Sequence, residues 1–391
     1  MFDKKKIEWS KKVIAQSIAE GVHLSELLHA KNKTYDDLRY ETYELPNYEK
    51  QNYSSLDDFR ISGTEIPTVS FFSGAGGLDL GFEAAGFGHQ ALYEKVPLFC
   101  ETLRHNRPQW KVLDNDVSIK DEMIESLKAS IGSTKFSDGL FVGGPPCQPF
   151  SIASNQRFSK SGENFKRVGF SHETNGNLLF DYINLIIHFK PKAFLIENVP
   201  GLKEIDDGAQ LMKAYGLLEA AGFSVNNPFL VTADKYQVPQ NRKRLFIIGG
   251  RSKKTFVPPT PTVESLSCAS VFDLHTTNCE NHITREHSAD SVLRYLALPY
   301  GARDQLGRVD RLDPSRASKT IIAGGTKGGG RSHLHPYFPR TLSVRESARL
   351  QTFPDDYIFT GPVARQFTQV GNAVPPVLAA QLAASIRSCY F

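Results

Sequence analysis

The chain has 391 residues, of which 40% are hydrophobic and 23% charged, and this globular composition excludes a mostly disordered chain. Its formal net charge of +4 at pH 7 is too small to identify a nucleic-acid-binding protein by itself. Apolar runs are only strand-sized, so we expect no membrane span, and five scattered cysteines predict a reducing compartment rather than a disulfide scaffold.

Residues 1–66 are predicted to form a separate, mostly helical extension. Apolar residues recur at loosely helical spacing over residues 14–38, and a polar, tyrosine-rich stretch follows. This pattern favours one or two helices packed against a core. A helix-turn-helix is the alternative, although no turn signature supports it.

Residues 67–250 alternate between short apolar strands and helices. The strands are TVSFF, ALYE, GLFVGG, AFLIENV and RLFIIGG, and helices are predicted over 178–189 and 208–221. Strands separated by helices predict an α/β fold with a parallel, doubly wound sheet. Because ligands bind at the carboxyl ends of such strands, the polar residues that end them are the candidate site.

Residues 251–335 lack this alternation and are rich in Pro, Thr, Ser, Gly and Arg, which predicts a second, loop-rich lobe. Residues 336–391 contain two predicted helices, SVRESARLQTF with a serine N-cap and VPPVLAAQLAASIRS with prolines in its first turn, and should return to the first domain. Six basic and no acidic residues lie in 240–257, and nine basic against three acidic in 300–345. A solvated surface explains either run alone, whereas the two together favour a positively charged cleft.

The first candidate site is the glycine-rich turn FFSGAGGLDLGF. Gly74, Gly76 and Gly77 directly follow a strand, so the backbone can approach a ligand closely. Asp79 stands where the dinucleotide fingerprint places its third glycine, which weakens an NAD interpretation. Glu94, after the next strand, is placed to bind ribose hydroxyls. We therefore predict a nucleoside-containing cofactor, with an ordinary tight turn as the alternative.

The second candidate is GGPPCQPFS, in which Cys147 follows a buried strand and lies in a loop stiffened by three prolines. A lone cysteine is usually an inert core residue. Here the loop position favours a partly exposed nucleophile at a strand end. The polar stretch over residues 152–177 is typical of a lid or binding loop.

Three further motifs carry polar residues at strand ends or turns. In AFLIENVPG, Glu197 is a candidate general acid, and a helix-capping acid is an equal alternative. In QNRKRLFIIGG, Gln240, Arg242 and Arg244 alternate, so we expect both guanidinium groups on one strand face, suited to phosphate or a polar heterocycle. Two solvated arginines are an equal alternative. In QVGNAVPP, Asn372 lies in a predicted tight turn.

In their chain order, FSGAGGLDLGF, GGPPCQPFS, ENVPG, QNRKRLFIIG, RESARLQTFPD and QVGNAVPP resemble the cytosine-C5 DNA methyltransferases of bacterial restriction–modification systems. The resemblance covers about residues 67–250 and 336–391. The Pro-Cys element with ENV about fifty residues later and QxRxR beyond is highly specific. The resemblance implies a Rossmann-like methyltransferase sheet, with a target recognition domain at about 251–335.

The resemblance also implies a chemistry. Cys147 would attack C6 of cytosine, producing an enamine that attacks a methyl sulfonium. Glu197 would hydrogen-bond the N3/N4 edge and help protonate N3. Arg242 and Arg244 would hold the base and the cysteine loop, with Gln240 in support. Loss of the C5 proton and of the thiol then gives 5-methylcytosine, and the base must flip out of the duplex to be reached.

The implied cofactor is S-adenosylmethionine and the implied partner double-stranded DNA. The resemblance assigns the cofactor site to the turn residues Phe72, Ser73, Gly74, Ala75, Gly76, Gly77 and Leu78, to Glu94 on the ribose, to Asp116 and Val117 on the adenine, and to Pro146, Leu178, Asn372 and Val374 on the methionine side. The DNA contacts are assigned to Gln148, Ser151 and Arg157. We expect a monomer in the bacterial cytoplasm, protecting DNA beside a separately acting restriction endonuclease.

Three other functions are alternatives: a tRNA methyltransferase of the same chemistry, an NAD-dependent oxidoreductase, and a non-catalytic DNA-binding protein. The recognition lobe between basic runs favours duplex DNA, and Asp79 and the Cys147–Glu197 pair oppose an oxidoreductase. A binding protein would not need Cys147. We expect no metal, because Cys268, Cys279, His282 and His287 fit no standard zinc spacing.

Overall fold

The computed structural model describes residues 4–41, 54–146, 178–262, 264–272, 279–323 and 333–391. The chain divides into two compact units, each assembled from separate stretches of sequence. The sheet unit comprises Ser55–Tyr236, Arg242–Thr262 and Val374–Phe391. The mixed unit, which contains helices and short strands, comprises Met1–Ser54, Gln237–Asn241 and Val263–Ala373.

The secondary structure follows in chain order for the described residues. The α-helices are α1 (Lys4–Glu20), α2 (Leu24–Ala30), α3 (Gly77–Ala84), α4 (Pro97–Asn106), α5 (Lys120–Ile131), α6 (Leu178–Phe189), α7 (Ala209–Ala220), α8 (Ala269–Phe272), α9 (Ala289–Leu296), α10 (Val344–Leu350), α11 (Val363–Asn372) and α12 (Pro376–Tyr390). The strands are β1 (Ile66–Phe71), β2 (Phe87–Tyr93), β3 (Val112–Leu113), β4 (Leu140–Gly143), β5 (Ala193–Asn198), β6 (Ser224–Val225), β7 (Phe229–Thr232), β8 (Gln240–Asn241), β9 (Lys243–Gly250), β10 (Arg303–Asp304), β11 (Val309–Arg311), β12 (Ser318–Lys319) and β13 (His333–Leu334).

The predicted helix starts near the C-terminus are confirmed. Ser343 caps α10, its hydroxyl accepting from the Glu346 amide while the Glu346 carboxylate accepts from the Ser343 amide. Helix α12 begins with a proline in its first turn. Within the described residues, no helix combines the length and the apolar character that a membrane crossing requires.

The sheet unit is built on an eight-stranded sheet of order β3-β2-β1-β4-β5-β9-β6, with β7 also paired to β9. Strands β1 to β5 are parallel, which confirms the predicted doubly wound arrangement for this part of the chain. The strand order reverses beside β1, because β2 and β3 lie on one side and β4 and β5 on the other. In open α/β sheets the ligand crevice lies outside the carboxyl ends of the strands at this reversal.

Strand β9 departs from the predicted parallel sheet, because it pairs antiparallel with β5 and with β7. The connection from β7 to β9 contains a 3₁₀ turn (Ala233–Lys235) and β8 but no α-helix, and antiparallel pairing, unlike parallel pairing, needs no crossover helix. In this register Glu197 lies opposite Phe246, and Val231 of β7 lies opposite Arg244. The start of β9 therefore lies beside the carboxyl end of β5.

Buried aromatic rings hold the strand ends in place. Phe71 at the end of β1 stacks on Tyr93 of β2 with ring centroids 5.6 Å apart, and packs edge-on against Phe141 of β4 at 5.0 Å. Tyr182 of α6 lies 4.9 Å from Phe71 and donates a hydrogen bond to the carbonyl oxygen of Leu195 in β5 at 3.2 Å. Each such ring contributes about 1.5–3 kcal/mol through burial, so the edge of the sheet is firmly supported.

Helix α12 packs against α3, the helix that follows the glycine turn. A Cβ atom on Gly81 would lie 2.4 Å from the Cβ of Ala379 and 2.5 Å from the carbonyl oxygen of Pro376. No side chain fits between the two backbones, so glycine is needed at this position for close helix packing. The predicted return of the C-terminal helix to the first domain is thereby explained.

The mixed unit contains the N-terminal helices. Ile14 of α1 and Leu28 of α2 share one hydrophobic cluster with Val292 and Leu296 of α9. Arg340, whose side chain is fully buried, makes two hydrogen bonds of 2.8 Å to Glu346 and an ion pair with Asp36. The N-terminal segment is thus part of the core of this unit.

The observed division differs from the predicted boundaries at two points. Residues 1–54 share a unit with 263–373, whereas a separate layer was expected over 1–66. Residues 336–373 also belong to this unit, and only 374–391 join the sheet unit. The N-terminal segment joins this unit because its apolar residues pack against α9 and Asp36 pairs with Arg340. The spacing of apolar residues along one helix shows that a face is buried but not which element covers it.

Candidate active site

The glycine turn connects β1 to α3 through left-handed backbone. Phe72, Gly74 and Gly76 have φ angles of 56°, 57° and 75°. Glycine adopts such angles freely, whereas a phenylalanine at positive φ is strained by about 1–3 kcal/mol. Strain of this kind concentrates at functional sites. The turn ends where Gly76 caps α3, whose first helical residue is Gly77.

Glu94 ties the glycine turn to the end of β2. Its carboxylate accepts hydrogen bonds from the amides of Gly74 at 2.7 Å and Val96 at 2.8 Å. The side chain is only 7% exposed, and burial raises the pKa of this carboxyl group above its ordinary value. A carboxylate has about four acceptor positions, so two amide bonds leave capacity for the hydroxyl groups of a ligand.

The other predicted adenine and methionine contacts follow β3 or begin α6. Asp116 bonds Lys95 Nζ at 2.5 Å and Ser118 through its amide and hydroxyl. Burial would raise the pKa of Asp116, but these hydrogen bonds outweigh it and lower the pKa. Val117 and Leu178 are 5% and 8% exposed and belong to the main hydrophobic core, so each offers only an edge to a ligand.

Glu197 and Arg244 form an ion pair at the carboxyl end of β5. Arg244 Nε lies 2.7 Å from Glu197 Oε1, with the side chains 14% and 13% exposed. A Cβ atom on Gly144 would lie 2.8 Å from Glu197 Oε2, so a side chain here would displace this carboxylate oxygen. The antiparallel direction of β9 brings this arginine to this carboxylate.

Asn198 links the end of β5 to the proline loop. Its Nδ2 donates to the carbonyl oxygen of Pro145 at 3.4 Å, and its Oδ1 accepts from the amide of Val199 at 2.9 Å. Because Asn198 is 1% exposed, these bonds are shielded from water. Its role in supporting the loop was not predicted, although its position beside Glu197 and before Pro200 was a usable signal.

Cys147 and the predicted DNA contacts Gln148, Ser151 and Arg157 lie outside the described residues, and their roles stay predictions. The described chain reaches Pro146, three residues after β4 ends at Gly143. The buried strand that was expected to precede Cys147 in the sequence is therefore β4.

Gln240 and Arg244 belong to different strands, and the strand face expected for Arg242 and Arg244 stays a prediction because Arg242 immediately precedes β9. Gln240 lies in β8, which pairs with β12 in the mixed unit, whereas Arg244 lies in β9 of the sheet unit. Arg242 lies between the two strands and is 1% exposed. Alternation along a sequence implies a shared face only if the strand is continuous, and here the chain changes pairing partner between β8 and β9.

Asn372 and Val374 lie on either side of the last passage between units. Asn372 is the exposed final residue of α11 in the mixed unit. Val374 is 7% exposed and begins the last segment of the sheet unit. Asn372 lies at the end of a helix rather than in an isolated tight turn. The neighbouring glycine and prolines are typical of turns, so the sequence did not show that the helix extends to Asn372.

The four candidate zinc ligands have other partners. Cys268 donates through sulfur to the carbonyl oxygen of Asp313, and Cys279 accepts from Arg349 Nη2. His282 Nδ1 hydrogen-bonds the Ser343 hydroxyl, and His287 Nε2 accepts a hydrogen bond from the backbone amide of Thr341. Among the residues that the structure describes, no three His, Cys, Asp or Glu side chains are grouped as metal ligands.

Comparison with known proteins identifies the class. Residues 66–388 match the family described as C-5 cytosine-specific DNA methylase. The type II methyltransferase M.PspPI of Psychrobacter sp. is 34% identical over 92% of this chain and 87% of its own length. M.Eco47II of Escherichia coli is 29% identical over 86% of this chain and 83% of its own length.

Solved structures show the same fold. A prophage-encoded E. coli protein described as a DNA modification methyltransferase has a TM-score of 0.67 at 23% identity, covering 83% of this chain and 99% of its own. The Entamoeba histolytica methyltransferase EhMeth has a TM-score of 0.60 at 16% identity, over 83% of this chain and 99% of its own.

The chain belongs to the C-5 cytosine-specific DNA methylase family. It is a DNA (cytosine-5-)-methyltransferase, which requires a methyl donor and acts on DNA. The family and the type II relatives favour this activity over the tRNA alternative, and they do not support an oxidoreductase or a non-catalytic binding protein.

Proposed function

We propose that this enzyme methylates a flipped cytosine within a specific site of double-stranded DNA, using S-adenosylmethionine and a covalent adduct between Cys147 and C6. The observation that carries the proposal is the Glu197–Arg244 ion pair, held against Gly144 at the edge of the sheet. The described chain continues from this glycine to Pro146, and Cys147 is the next residue in the sequence. The contact between Gly144 and Glu197 supports a catalytic site at the ends of β4 and β5.

The proposed cofactor site is the crevice at the strand-order reversal. Its residues fit a nucleoside, because Glu94 offers acceptors to ribose hydroxyls and Asp116 an acceptor to an exocyclic amine. The strained turn at Phe72 and the glycines after it allow the backbone to approach closely. When bound, S-adenosylmethionine would supply an electrophilic methyl group at a sulfonium centre.

The proposed reaction uses this chain's residues to move electrons and protons on the base. The Cys147 thiolate forms a bond to C6, the C5–C6 π electrons move toward N3 through the ring, and Glu197 delivers a proton to N3. The resulting enamine makes C5 nucleophilic, so that C5 would bond to the methyl carbon supplied by S-adenosylmethionine as the bond from that carbon to the sulfonium sulfur breaks. A solvent water or hydroxide would then take the C5 proton. The C5–H electron pair would form the C5=C6 double bond as the C6–S bond breaks and releases the thiolate, and N3 would return its proton to Glu197.

Arg244 has two roles in this proposal. Its Nε–H holds Glu197 Oε1, which leaves Oε2 as the oxygen toward Gly144. Its positive charge stabilises the carboxylate whenever the proton has left it. Arg242 is proposed to support the cysteine loop from its buried position.

The proposed recognition surface includes residues 251–335. Arg303 and Lys319 both bond the carboxylate of Asp310, at 2.9 and 2.8 Å, and are 44% and 63% exposed. Two exposed cations on one carboxylate keep a net positive charge that suits DNA phosphates. The names of the type II relatives support a modification enzyme that protects DNA from a separately acting restriction endonuclease. We also propose that this chain acts as a monomer.

Bisulfite sequencing of DNA from cells that express the chain tests the proposal. The wild type should convert one cytosine within a single short sequence to 5-methylcytosine. Cys147→Ser should leave that cytosine unmodified, and Cys389→Ser, which removes a thiol elsewhere, should retain activity. In vitro, only chains with Cys147 should form a covalent complex with DNA carrying 5-fluorocytosine at the target. Methylation of tRNA alone would instead establish the tRNA alternative.

We expect Glu94→Gln to weaken S-adenosylmethionine binding by roughly tenfold to a hundredfold, since a hydrogen bond to a charged group contributes about 1.5–3 kcal/mol. Isothermal titration calorimetry measures the change in Kd. In the wild type, affinity should also fall as the pH decreases through the raised pKa of Glu94, because protonation removes an acceptor. Glu94→Gln should abolish this pH dependence.

Glu83→Gln is the matched control for this measurement. Glu83 lies in α3 of the same unit, where its carboxylate bonds Arg107 at 2.8 Å and Trp110 at 2.9 Å. The same change of charge there should leave the Kd within about twofold. An equal loss of affinity in both variants would remove Glu94 from the cofactor site.

A further inference from the structure

Two buried glutamines of the mixed unit form a direct amide pair. Gln240 Nε2 donates to Gln351 Oε1 at 2.9 Å and to the carbonyl oxygen of Leu350 at 3.2 Å. Gln240 Oε1 accepts from the amide of Ile321 at 2.9 Å. Neither glutamine is exposed to solvent. These bonds join β8, the end of α10 and the segment after β12.

Gln351 extends the pair to the end of α11. Its Nε2 donates to the carbonyl oxygen of Val370 at 2.7 Å and to that of Ala373 at 3.3 Å. The network therefore requires an amide at position 351, because its oxygen must accept from Gln240 while its nitrogen donates to two carbonyls. A carboxylate would face two carbonyl oxygens without a proton between them, which is destabilising for a buried group.

The bonded segments lie immediately before two passages of the chain into the sheet unit. Gln240 precedes Arg242, where the sheet unit resumes, by two residues, and Ala373 directly precedes Val374. Consecutive Cα atoms are 3.80 Å apart, so an anchor at one residue strongly limits the position of the next two. The amide pair thus fixes the distance between Gln240 and Ala373 within the mixed unit. The chain enters the sheet unit shortly after each of these two residues.

A third segment is held by the same part of the unit. A Cβ atom on Gly371 would lie 2.4 Å from the amide nitrogen of Ala323, so the two backbones are in close contact. Thr368 Oγ1 donates to the carbonyl oxygen of Ala323 at 3.1 Å. Ala323 directly precedes the glycine-rich sequence GGTKGGG, and Ile321 lies two residues before Ala323.

We propose that Gln351 is a positioning residue for methyl transfer, acting through Gln240. It joins the segment that leads to Arg242 and Arg244, the segment that leads to Val374, and residues 321–323. This inference rests on the catalytic role proposed for Arg244. The side-chain amide of Gln240 is bonded to Ile321, Leu350 and Gln351, so we infer that Gln240 is a positioning residue rather than one that contacts the substrate.

Gln351→Glu tests the inference, and Gln366→Glu is its matched control. Gln366 is a buried amide of α11 that donates to the Gly361 carbonyl oxygen at 2.7 Å and accepts from Asn281 at 3.2 Å. Both substitutions place a carboxylate against a carbonyl oxygen, so both should lower the urea midpoint. Gln351→Met, which is uncharged and of similar length, provides a second variant that avoids burying a charge.

Steady-state kinetics at saturating DNA and S-adenosylmethionine give the first readout. Gln351→Glu and Gln351→Met should lower kcat by about tenfold to a hundredfold, since small displacements of catalytic groups have effects of this size. The KM for S-adenosylmethionine should change less than kcat. Gln366→Glu should keep kcat within about threefold. Equal losses of kcat in the Gln351 and Gln366 variants would overturn the inference.

Hydrogen–deuterium exchange gives a readout that does not depend on activity. The Gln351 variants should exchange faster than the wild type at 240–244 and at 370–374 together, whereas Gln366→Glu should affect mainly the region near Gly361. If exchange at 240–244 is unchanged in the Gln351 variants, the amide pair does not hold that segment and the inference fails. Loss of methylation in the wild type would instead refute the proposed function.

Discussion

Replacing Glu197 by glutamine should lower kcat by about 10²–10⁴-fold, the range that general acid–base catalysis contributes. The amide cannot deliver a proton to N3, so C6 stays poorly electrophilic when the thiolate approaches. Size and hydrogen-bonding reach are nearly conserved, and Arg244 can still donate to the amide oxygen at the position it now uses. DNA and cofactor affinities should therefore change by only a few-fold. Single-turnover methylation with separate binding measurements distinguishes the two effects.

Glu204→Gln controls for the loss of one negative charge near the site. Glu204 is an exposed residue that lies beyond β5, after the short helix Pro200–Lys203. Its substitution should leave kcat within about twofold. Adduct formation with 5-fluorocytosine DNA should fail in Glu197→Gln and persist in Glu204→Gln. If Glu197→Gln retains more than a tenth of wild-type kcat, Glu197 is not the proton donor.

The free energy of unfolding of the mixed unit should fall by about 4 kcal/mol between pH 7.5 and pH 5. Burial lowers the pKa of His333 to about 4 and that of His335 to about 3. His335 Nδ1 accepts from the amides of Tyr337 and Phe338, so the neutral ring is the form that fits. In the unfolded chain both rings bind a proton below about pH 6.5, while in the folded chain they do not.

The sign follows from this difference. Above pH 6.5 neither state is protonated and stability is constant. As the pH falls from 6.5 to 5, each histidine costs about 2 kcal/mol, because 1.5 pH units at about 1.4 kcal/mol per unit favour the unfolded state. Glu346 does not contribute in this window. Burial would raise its pKa, but Arg340 and His335 outweigh burial and lower it to about 2, so its contribution is lost only below about pH 4.5.

Tryptophan fluorescence can report this unit separately. The chain has two tryptophans, Trp9 in α1 of the mixed unit and Trp110 in the sheet unit. In a Trp110→Phe background, urea titrations followed at Trp9 should show the loss of stability at pH 5. His335→Asn, which keeps an acceptor near Nδ1, should remove about half of it. His105→Asn, at an exposed position, should leave it unchanged. A flat profile in the parent would show that the buried histidines titrate normally.

Local sequence patterns predicted the parallel half of the sheet well. Strands β4 and β5 are short apolar runs that end at a glycine or a polar residue, β1 leads into the glycine turn, and α6 and α7 lie where helices were predicted. Such signals are contained within a few residues. The strand-end positions of Glu94 and Glu197 could therefore be predicted, and the structure places both at the carboxyl edge of the sheet.

Long-range pairing could not be predicted in the same way. The alternation Gln240, Arg242, Arg244 contains no sign that β8 pairs with β12 and β9 with β5, since both partners are distant in sequence. The hydrogen bond between Gln240 and Gln351 joins residues 111 positions apart. Likewise, the helical pattern of the N-terminal segment shows an apolar face but not the α9 residues that cover it.

The contact of Gly81 with α12 has a consequence for how the nascent chain folds. Helix α12 begins roughly 300 residues after this glycine, and the segment 263–373 that belongs to the mixed unit is synthesised in between. The ribosome must therefore translate almost the whole intervening sequence before α3 acquires its packing partner. Contacts of such large sequence separation slow folding, so the half of the enzyme proposed to bind the cofactor should mature late, after the mixed unit's own segments have emerged.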